Sequence, residues 1–436
     1  MEQNVRRKIG RAINRSAVRR SLTHPPFLPH RDTGKTNRID LKSFYPMLAT
    51  LMQVHRISDQ RPIHPALTHV ILNSPNPGAE QVCQSPDGPT AKLILLGDEL
   101  SQEEVMTNRR KWWSTAISES VRNKLWKRFT AEYHLLPSVV ATLVTVLCEV
   151  YTTTYVPSSA SHDGQLKSRI RLKYHNSPIT NFGMVNGWAD VKGQDRFAYL
   201  NVGDMSFTKG QDSKDHYWMY FTTAAGEDII IDCGMFVFNF CMMVDASAYM
   251  KHGLPPGLEF APAFFRDREF KKFTPTIQYE KERFYVLRDP GLAEVVTYSS
   301  IFRSRNTYAI CKFMEKVAGR AATVEERKLL IAFIVPSCEV LAANLADREY
   351  LKWPQEPTTM IAADPGEMDD ARDDQRCGED WLKYMRKWTK KQKRGEITAE
   401  QLSDAFRAWS EKKDRELKEA GESGQGRGCT EIKVNR

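Results

Sequence analysis

The stretch LKSFYPMLATLMQV, residues 41–54, returns apolar side chains at helical spacing and predicts a buried helix with Pro46 inside it. LLPSVVATLVTVLCEVY, residues 135–151, is apolar on every side and predicts a second, deeply buried helix. Pro137, Ser138, Thr142, Thr145 and Glu149 interrupt it. A membrane span needs about 20 mostly apolar residues, so none is expected there. Between the two, HVILN and AKLILLG predict short strands around the Pro- and Gly-rich loop SPNPGAEQVCQSPDGP. SQEE at 101–104 is a capping box, in which the serine serves the fourth residue's N–H and the glutamate reaches back. Helices are expected over 101–134 and 137–151.

After VPSSASHDGQ the texture changes. RIRLKY, GMVNGWADV, RFAYLNV, HYWMYFTT and EDIIIDCG are short and rich in β-branched and aromatic residues, as strands are. Helical patterning returns from about 306, with a second capping box, TVEE, at 323–326. This order predicts an α+β fold, with a mainly antiparallel sheet over about 165–290 flanked by helices before and after.

Composition adds boundaries. The chain has 436 residues, 41% hydrophobic and 10% aromatic, enough for one large or two ordinary globular domains. Its net charge is +9, but residues 1–20 hold seven basic groups against Glu2, so that segment alone supplies +6. The body is close to neutral, and the basic total is no sign of a nucleic-acid-binding fold. Residues 1–37 are expected to be a basic, flexible segment: a mitochondrial presequence, a nuclear signal or an arm for an acidic partner. The globular body is expected over 38–357, an acidic linker over 358–380, and a basic helical tail with a flexible end over 381–436. The linker's run 364–380 carries eight acidic groups against Arg372 and Arg376. In the tail, Trp381, Met385 and Trp388 follow i, i+4, i+7, which predicts an amphipathic helix with its bases facing water. The same mixture of bases and aromatics suits single-stranded nucleic acid, so contact through 1–20 and 383–394 stands as an alternative.

Eight cysteines lie far apart and form no C-x-x-C pair, so no metal site and no cofactor is expected. With no secretory signal read at the start, reduced thiols in an intracellular compartment are expected, cytoplasmic, nuclear or mitochondrial. HRDTGKTN, residues 30–37, matches a kinase catalytic loop, but only 29 residues precede it and no Gly-rich loop or D-F-G follows in order. Its G-K-T would place Pro29 where a P-loop needs glycine.

The stretch with chemistry in it is DHYWMYFTTAAGEDIIIDCGMF, residues 215–236. A three-residue turn, Ala224-Ala225-Gly226, with Gly226 left-handed, predicts a hairpin that pairs Thr223 with Glu227. Counting outward, Tyr220 faces Ile230, Trp218 faces Asp232 and His216 faces Gly234. His216, Trp218 and Asp232 then share one face, with His216 and Asp232 diagonal neighbours about 7–8 Å apart. Met219, Phe221, Ile229, Ile231 and Cys233 share the other, which predicts core. A slip of one residue would reverse both statements. In this register Asp232 can hold the His216 imidazole as a triad carboxylate does, and Cys233 points away. The plain structural alternative is that His216 and Asp232 only satisfy local polar groups.

The pattern H-x-W…I-I-D resembles the second half of the transglutaminase-like and arylamine N-acetyltransferase superfamily, over some 20 residues. The resemblance implies His216 as base, Asp232 as its orienter and an upstream cysteine as nucleophile. Cys148 is the cysteine at a comfortable distance, and Cys83 a second choice. The family's cysteine opens its helix, whereas Cys148 falls near the end of one. A second resemblance covers more of the chain. YWMYFTTAAGEDIIIDCGMFVFNFC, with APAFFRDRE and DWLKYMRKW, resembles an uncharacterised family of proteins from mushroom-forming fungi, some of which carry a MYND-type zinc finger. The clustered ligands of that finger are absent here, so no zinc site carries over. The likeness implies an intracellular protein whose relatives are joined to interaction modules. The leading expectation is therefore an intracellular scaffold with a protein partner. The alternative is a thiol enzyme for acyl transfer or amide hydrolysis using Cys148, His216 and Asp232, and a third is nucleic-acid binding through the basic ends.

Overall fold

Asp40 accepts from the Lys42 N–H and so starts the first helix at the point where the apolar spacing begins. The computed structural model describes residues 38–361, apart from 76–79, 85–89, 117–118, 156–165, 251–257, 269–270, 272–275 and 298–303, and scattered positions between 384 and 408. The chain divides into two units, Met1–Met368 and Asp369–Arg436.

In the first unit, β1 (Ile39–Asp40) leads into α1 (Leu41–Arg56). There follow β2 (His69–Ile71), β3 (Val82–Gln84) and β4 (Thr90–Glu99), then the short α2 (Gln102–Thr107) and α3 (Arg109–Trp112). The capping box at Ser101 and Glu104 is formed. Next come α4 (Glu119–Ala131) and α5 (Leu135–Glu149). Helix α5 is buried along nearly its whole length. Thr142 and Thr145 each donate to the carbonyl one turn back, both at 2.9 Å. The strand region holds β5 (Tyr151–Tyr155), β6 (Leu166–Ile170), β7 (Leu172–Tyr174), β8 (Ser177–Ala189), β9 (Phe197–Asn201), β10 (Phe207–Lys209), β11 (His216–Thr223) and β12 (Asp228–Asp232). It continues through β13 (Met242–Asp245), β14 (Phe260–Pro262), β15 (Phe264–Arg266) and β16 (Gln278–Tyr285). Helices α6 (Pro290–Thr297), α7 (Ser304–Ala318) and α8 (Val324–Ala346) follow, then β17 (Thr359–Ile361). The capping box at Thr323 and Glu326 starts α8.

The main sheet runs β1-β7-β8-β11-β12-β15, with β16 also pairing β8. All its pairs are antiparallel except β1 with β7. A second sheet runs β10-β9-β4-β2, with β3 on β4, and a third runs β14-β13-β17. The α+β class and the helical texture of the C-terminal region are thus those expected from the sequence.

The strands expected at HVILN and AKLILLG form as β2 and β4. What the sequence pattern does not show is their pairing: β4 is a central strand of the second sheet and pairs in parallel with β9, Lys92 beside Phe197 through Leu96 beside Asn201. A parallel pair needs a long crossover, and here nearly a hundred residues provide it, which no local pattern announces. Within the linker expected over 358–380, Thr359–Ile361 instead form a strand, with Thr359 paired to Val244 and Ile361 to Met242. The acidic run 364–380 and the basic segment 1–37 lie outside the described residues.

One face of the main sheet, with Met184, Met219, Phe221, Ile229 and Ile231, shares a core with α1, α5, α7 and α8. Trp112, Trp113, Phe129, Phe197 and Tyr199 form a second core under the second sheet. Among the described residues, α8 is long and apolar enough to cross a membrane, and so is the bent pair α4 and α5 taken together. Leu329, Leu330, Phe333, Ile334 and Leu341 of α8 are buried.

Candidate functional site

The hairpin forms in the register that its turn dictates. Gly226 has φ +79, a conformation that other residues rarely adopt, and the Thr223 N–H donates to the Glu227 carbonyl at 2.9 Å. Tyr220 pairs with Ile230, and Met219 with Ile231. The Cys233 face joins the main core, where burial pushes the Cys233 thiol up to about 12. On the opposite face His216 Nε2 lies 2.7 Å from Asp232 Oδ2, and both side chains are fully buried.

Both oxygens of Asp232 are engaged. Oδ2 also accepts from Gln278 Nε2, and Oδ1 accepts from the Gly234 N–H at 2.8 Å. The carboxylate accepts from the imidazole, so His216 Nε2 carries a proton. His216 Nδ1 has no protein partner, nor have the neighbouring Trp218 Nε1 and Gln278 Oε1. Arg56, at the end of α1, is also buried. It donates to the Cys233 carbonyl and, at 3.1 Å, to Gln53 Oε1. Burial lowers the Arg56 pKa, and the Asp232 charge works against that shift. A buried cation therefore balances a buried carboxylate across the start of the turn after β12.

Curvature of the sheet brings Gln278 to this place. Strand β16 pairs with β8 and is separated from β12 by β8 and β11. Nevertheless Gln278 reaches Asp232, and Arg283 grips Asp228 with two hydrogen bonds of 3.0 and 2.8 Å. The Arg283 guanidinium also lies 4.4 Å above the Tyr220 ring. The sheet curls until β16 and β12 meet side chain to side chain, enclosing Val185, Trp218, Tyr220 and Ile230. At Gly187 any Cβ would run into the Tyr279 carbonyl and the Trp218 ring, so glycine permits the close approach.

Cys148 does not join the His216–Asp232 pair. A Cβ added to Gly234 would lie 2.7 Å from Leu135 Cδ2 and 2.8 Å from His216 Cε1, so the first residue of α5 is the one beside the imidazole. Cys148 lies 13 residues further along the same unbroken helix. At about 1.5 Å per residue that is about 20 Å away along the axis. Cys83 sits on β3 in the second sheet, paired with Ala91. Burial raises its thiol pKa. Around the imidazole stand Trp218, with ring centroids 5.8 Å apart, Phe238 at 5.7 Å, and Leu135 beyond Gly234. A proton could be held at His216 Nδ1, but the ring has no exposed surface for a substrate to reach.

Sequence reasoning missed Arg56 and Gln278, which are legible only as a terminal base and a strand polar residue. It also missed a second buried network. His64 Nδ1 accepts from the Ala66 N–H at 3.1 Å, and Nε2 lies 3.2 Å from Glu132 Oε2. Tyr199 donates to the same oxygen, and the Gln211 N–H donates to Oε1 at 2.6 Å. Burial alone would raise the Glu132 pKa; the hydrogen bonds from His64, Tyr199 and Gln211 outweigh it and hold the carboxyl below its ordinary value. Arg61 donates to the carbonyls of Thr130, Glu132 and Tyr133 and so closes the end of α4. Tyr133 and His134 follow with φ 66 and 56, and the chain turns by 69° into α5. This network is the joint between two helices, buried like the first.

Among the described residues no group of three or more His, Cys, Asp and Glu side chains could hold a metal ion. Of the basic ends, residues 1–20 lie outside the described residues. From 383–394, Tyr384, Lys387, Trp388 and Lys390–Gln392 are helical, with Lys387 and Lys390 exposed and Trp388 half-buried, as the amphipathic spacing implies. No family model, no curated protein and no solved structure matches the chain.

Proposed function

We propose that this chain is an intracellular, non-catalytic interaction protein, and that the His216–Asp232 hairpin is architecture. The observation that carries this reading is the complete burial of both side chains, with both oxygens of Asp232 hydrogen-bonded. A general base must come within hydrogen-bond reach of the proton it takes, and His216 is sealed from any substrate. The partner surface we favour lies on β8 and β16. Trp188 and Tyr279 are 42% and 38% exposed and stack at 5.1 Å with an interplanar angle of 10°. They pair across the two strands and continue the row of Met184 and Asn186 past the C-terminal end of α7, where Asn186 Nδ2 donates to the Val317 carbonyl at 3.0 Å. Exposed Trp and Tyr side chains held rigid on strands are the type of residue that anchors protein interfaces. The free thiols of Cys83, Cys148, Cys233, Cys311 and Cys338 agree with a reducing compartment.

The test is a photoreactive benzophenone side chain placed at Trp188 in the full chain. A discrete crosslinked product is expected in cells and is lost on Tyr279→Glu, whereas the same label at Leu351, 66% exposed, gives none. Ester or amide hydrolysis by the purified chain, removed by His216→Ala without loss of folding, would overturn the reading and make the protein an enzyme.

A further inference from the structure

Two thiols that the hairpin does not use face each other between helices. Cys148 lies in the last turn of α5, and Cys338 lies in the middle of α8. The Cys338 sulfur is 3.7 Å from Thr145 Oγ1, one turn before Cys148 on α5. Thr145 and Cys148 are three residues apart on α5, so they present one face to α8. Helix α8 packs along α5, and a disulfide between them requires this close approach of the two backbones. Cys338 is 8% exposed and belongs to the core, whereas Cys148 is partly exposed at its margin.

We propose that Cys148 and Cys338 form a reversible disulfide when the protein meets hydrogen peroxide, with Cys148 as the attacking sulfur and Cys338 as the resolving one. Exposure sets the order, because peroxide reaches the margin of the core before its interior. In the first step the Cys148 sulfur attacks a peroxide oxygen. The O–O bond breaks, and the departing hydroxide takes the Cys148 proton as water, leaving a sulfenic acid. In the second step the Cys338 sulfur attacks the Cys148 sulfur. The S–S bond forms, the S–O bond breaks, and hydroxide leaves as a second water with the Cys338 proton. The two sulfurs lose two electrons and peroxide gains them. Glu149 follows Cys148 as the last residue of α5. Burial pushes its carboxyl up to about 7, so near neutrality it is a base of matched strength beside the attacking thiol. A thiol reductant reverses the bond by exchange.

The experiment treats the full-length purified protein with hydrogen peroxide under native conditions and maps its peptides by mass spectrometry without reduction. The expected product is one linked pair, the Cys148 peptide joined to the Cys338 peptide with the loss of two hydrogens, which disappears on adding dithiothreitol. Cys338→Ser is expected to stop at the sulfenic acid, trapped by dimedone on Cys148. Glu149→Gln is expected to slow the first oxidation several-fold. The proposal is overturned if wild-type Cys148 carries dimedone with no linkage, if Cys338 pairs with another cysteine, or if neither thiol reacts before unfolding. The wild-type map needs no substitution, so a poorly folding variant does not remove the test.

Discussion

Replacing Asp232 should unfold the protein far more readily than replacing an average buried residue. With Asp232→Ala, the donors His216 Nε2, Gln278 Nε2 and the Gly234 N–H lose their acceptor, and buried Arg56 loses its balancing charge. Removing one partner of a buried ion pair costs about 3–5 kcal/mol, and each stranded donor about 1–3 kcal/mol, but groups around one site do not add. The expected loss is therefore about 4–5 kcal/mol. Asp232→Asn should cost less, about 1–3 kcal/mol. Its oxygen can still serve the Gly234 N–H. Its amide can donate to His216 Nε2 once the ring proton moves to Nδ1, an atom with no other protein partner. What Asn cannot restore is the charge opposite Arg56, so Arg56→Met added to Asp232→Asn should recover part of the loss. Urea unfolding followed by tryptophan fluorescence would give the midpoints at constant slope. Calorimetry should show Asp232→Ala lowered by about 8–20 °C, on a scale of about 2–4 °C per kcal/mol. An Asp232→Ala protein within about 0.5 kcal/mol of wild type would refute the argument. The network would then carry little stability, and a functional role for the pair would have to be sought again.

Glu149 has a folded-state pKa of about 7, raised by burial from its ordinary 4.5. The folded state therefore favours the protonated acid, and the stability this provides is present below pH 4.5 and lost as pH rises through about 7. Glu149→Gln should match wild type near pH 4 and exceed it above pH 7.5 by about 2–3 kcal/mol, read from urea midpoints at both pH values; equal midpoints at high pH would refute the assignment. Gly234→Ala tests the contact between α5 and the imidazole. The backbone at Gly234 is ordinary, φ −94 and ψ −20, so only crowding against Leu135 and His216 opposes a methyl group. A loss of about 1–3 kcal/mol is expected in denaturant titrations, partly relieved by Leu135→Ala in the double variant. Additive losses would show that the two sites do not touch.

The sequence by itself determined what is decided within a few residues. The Gly226 turn set the register of the hairpin, and the register set which face carries His216 and Asp232, because side chains alternate with a period of two. Ser101 with Glu104, and Thr323 with Glu326, marked two helix starts through side chain to backbone bonds three residues apart. The apolar run at 135–151 announced a buried helix, since no face of it could tolerate water. Tertiary structure decided everything that depends on how layers meet. The parallel pairing of β4 with β9 and the addition of β17 to β13 join segments about a hundred residues apart. Alternating polarity states only that a strand has an inside, not which strand lies beside it. Which end of α5 lies beside the hairpin decided that Leu135, not Cys148, touches the imidazole. The curl of the sheet decided that Gln278 and Arg283 meet Asp232 and Asp228. Burial then decided the chemistry. A histidine and an aspartate at the right register can serve as base and orienter only where a substrate can reach them, and the packing of Trp218, Phe238 and Leu135 around His216 closes that approach.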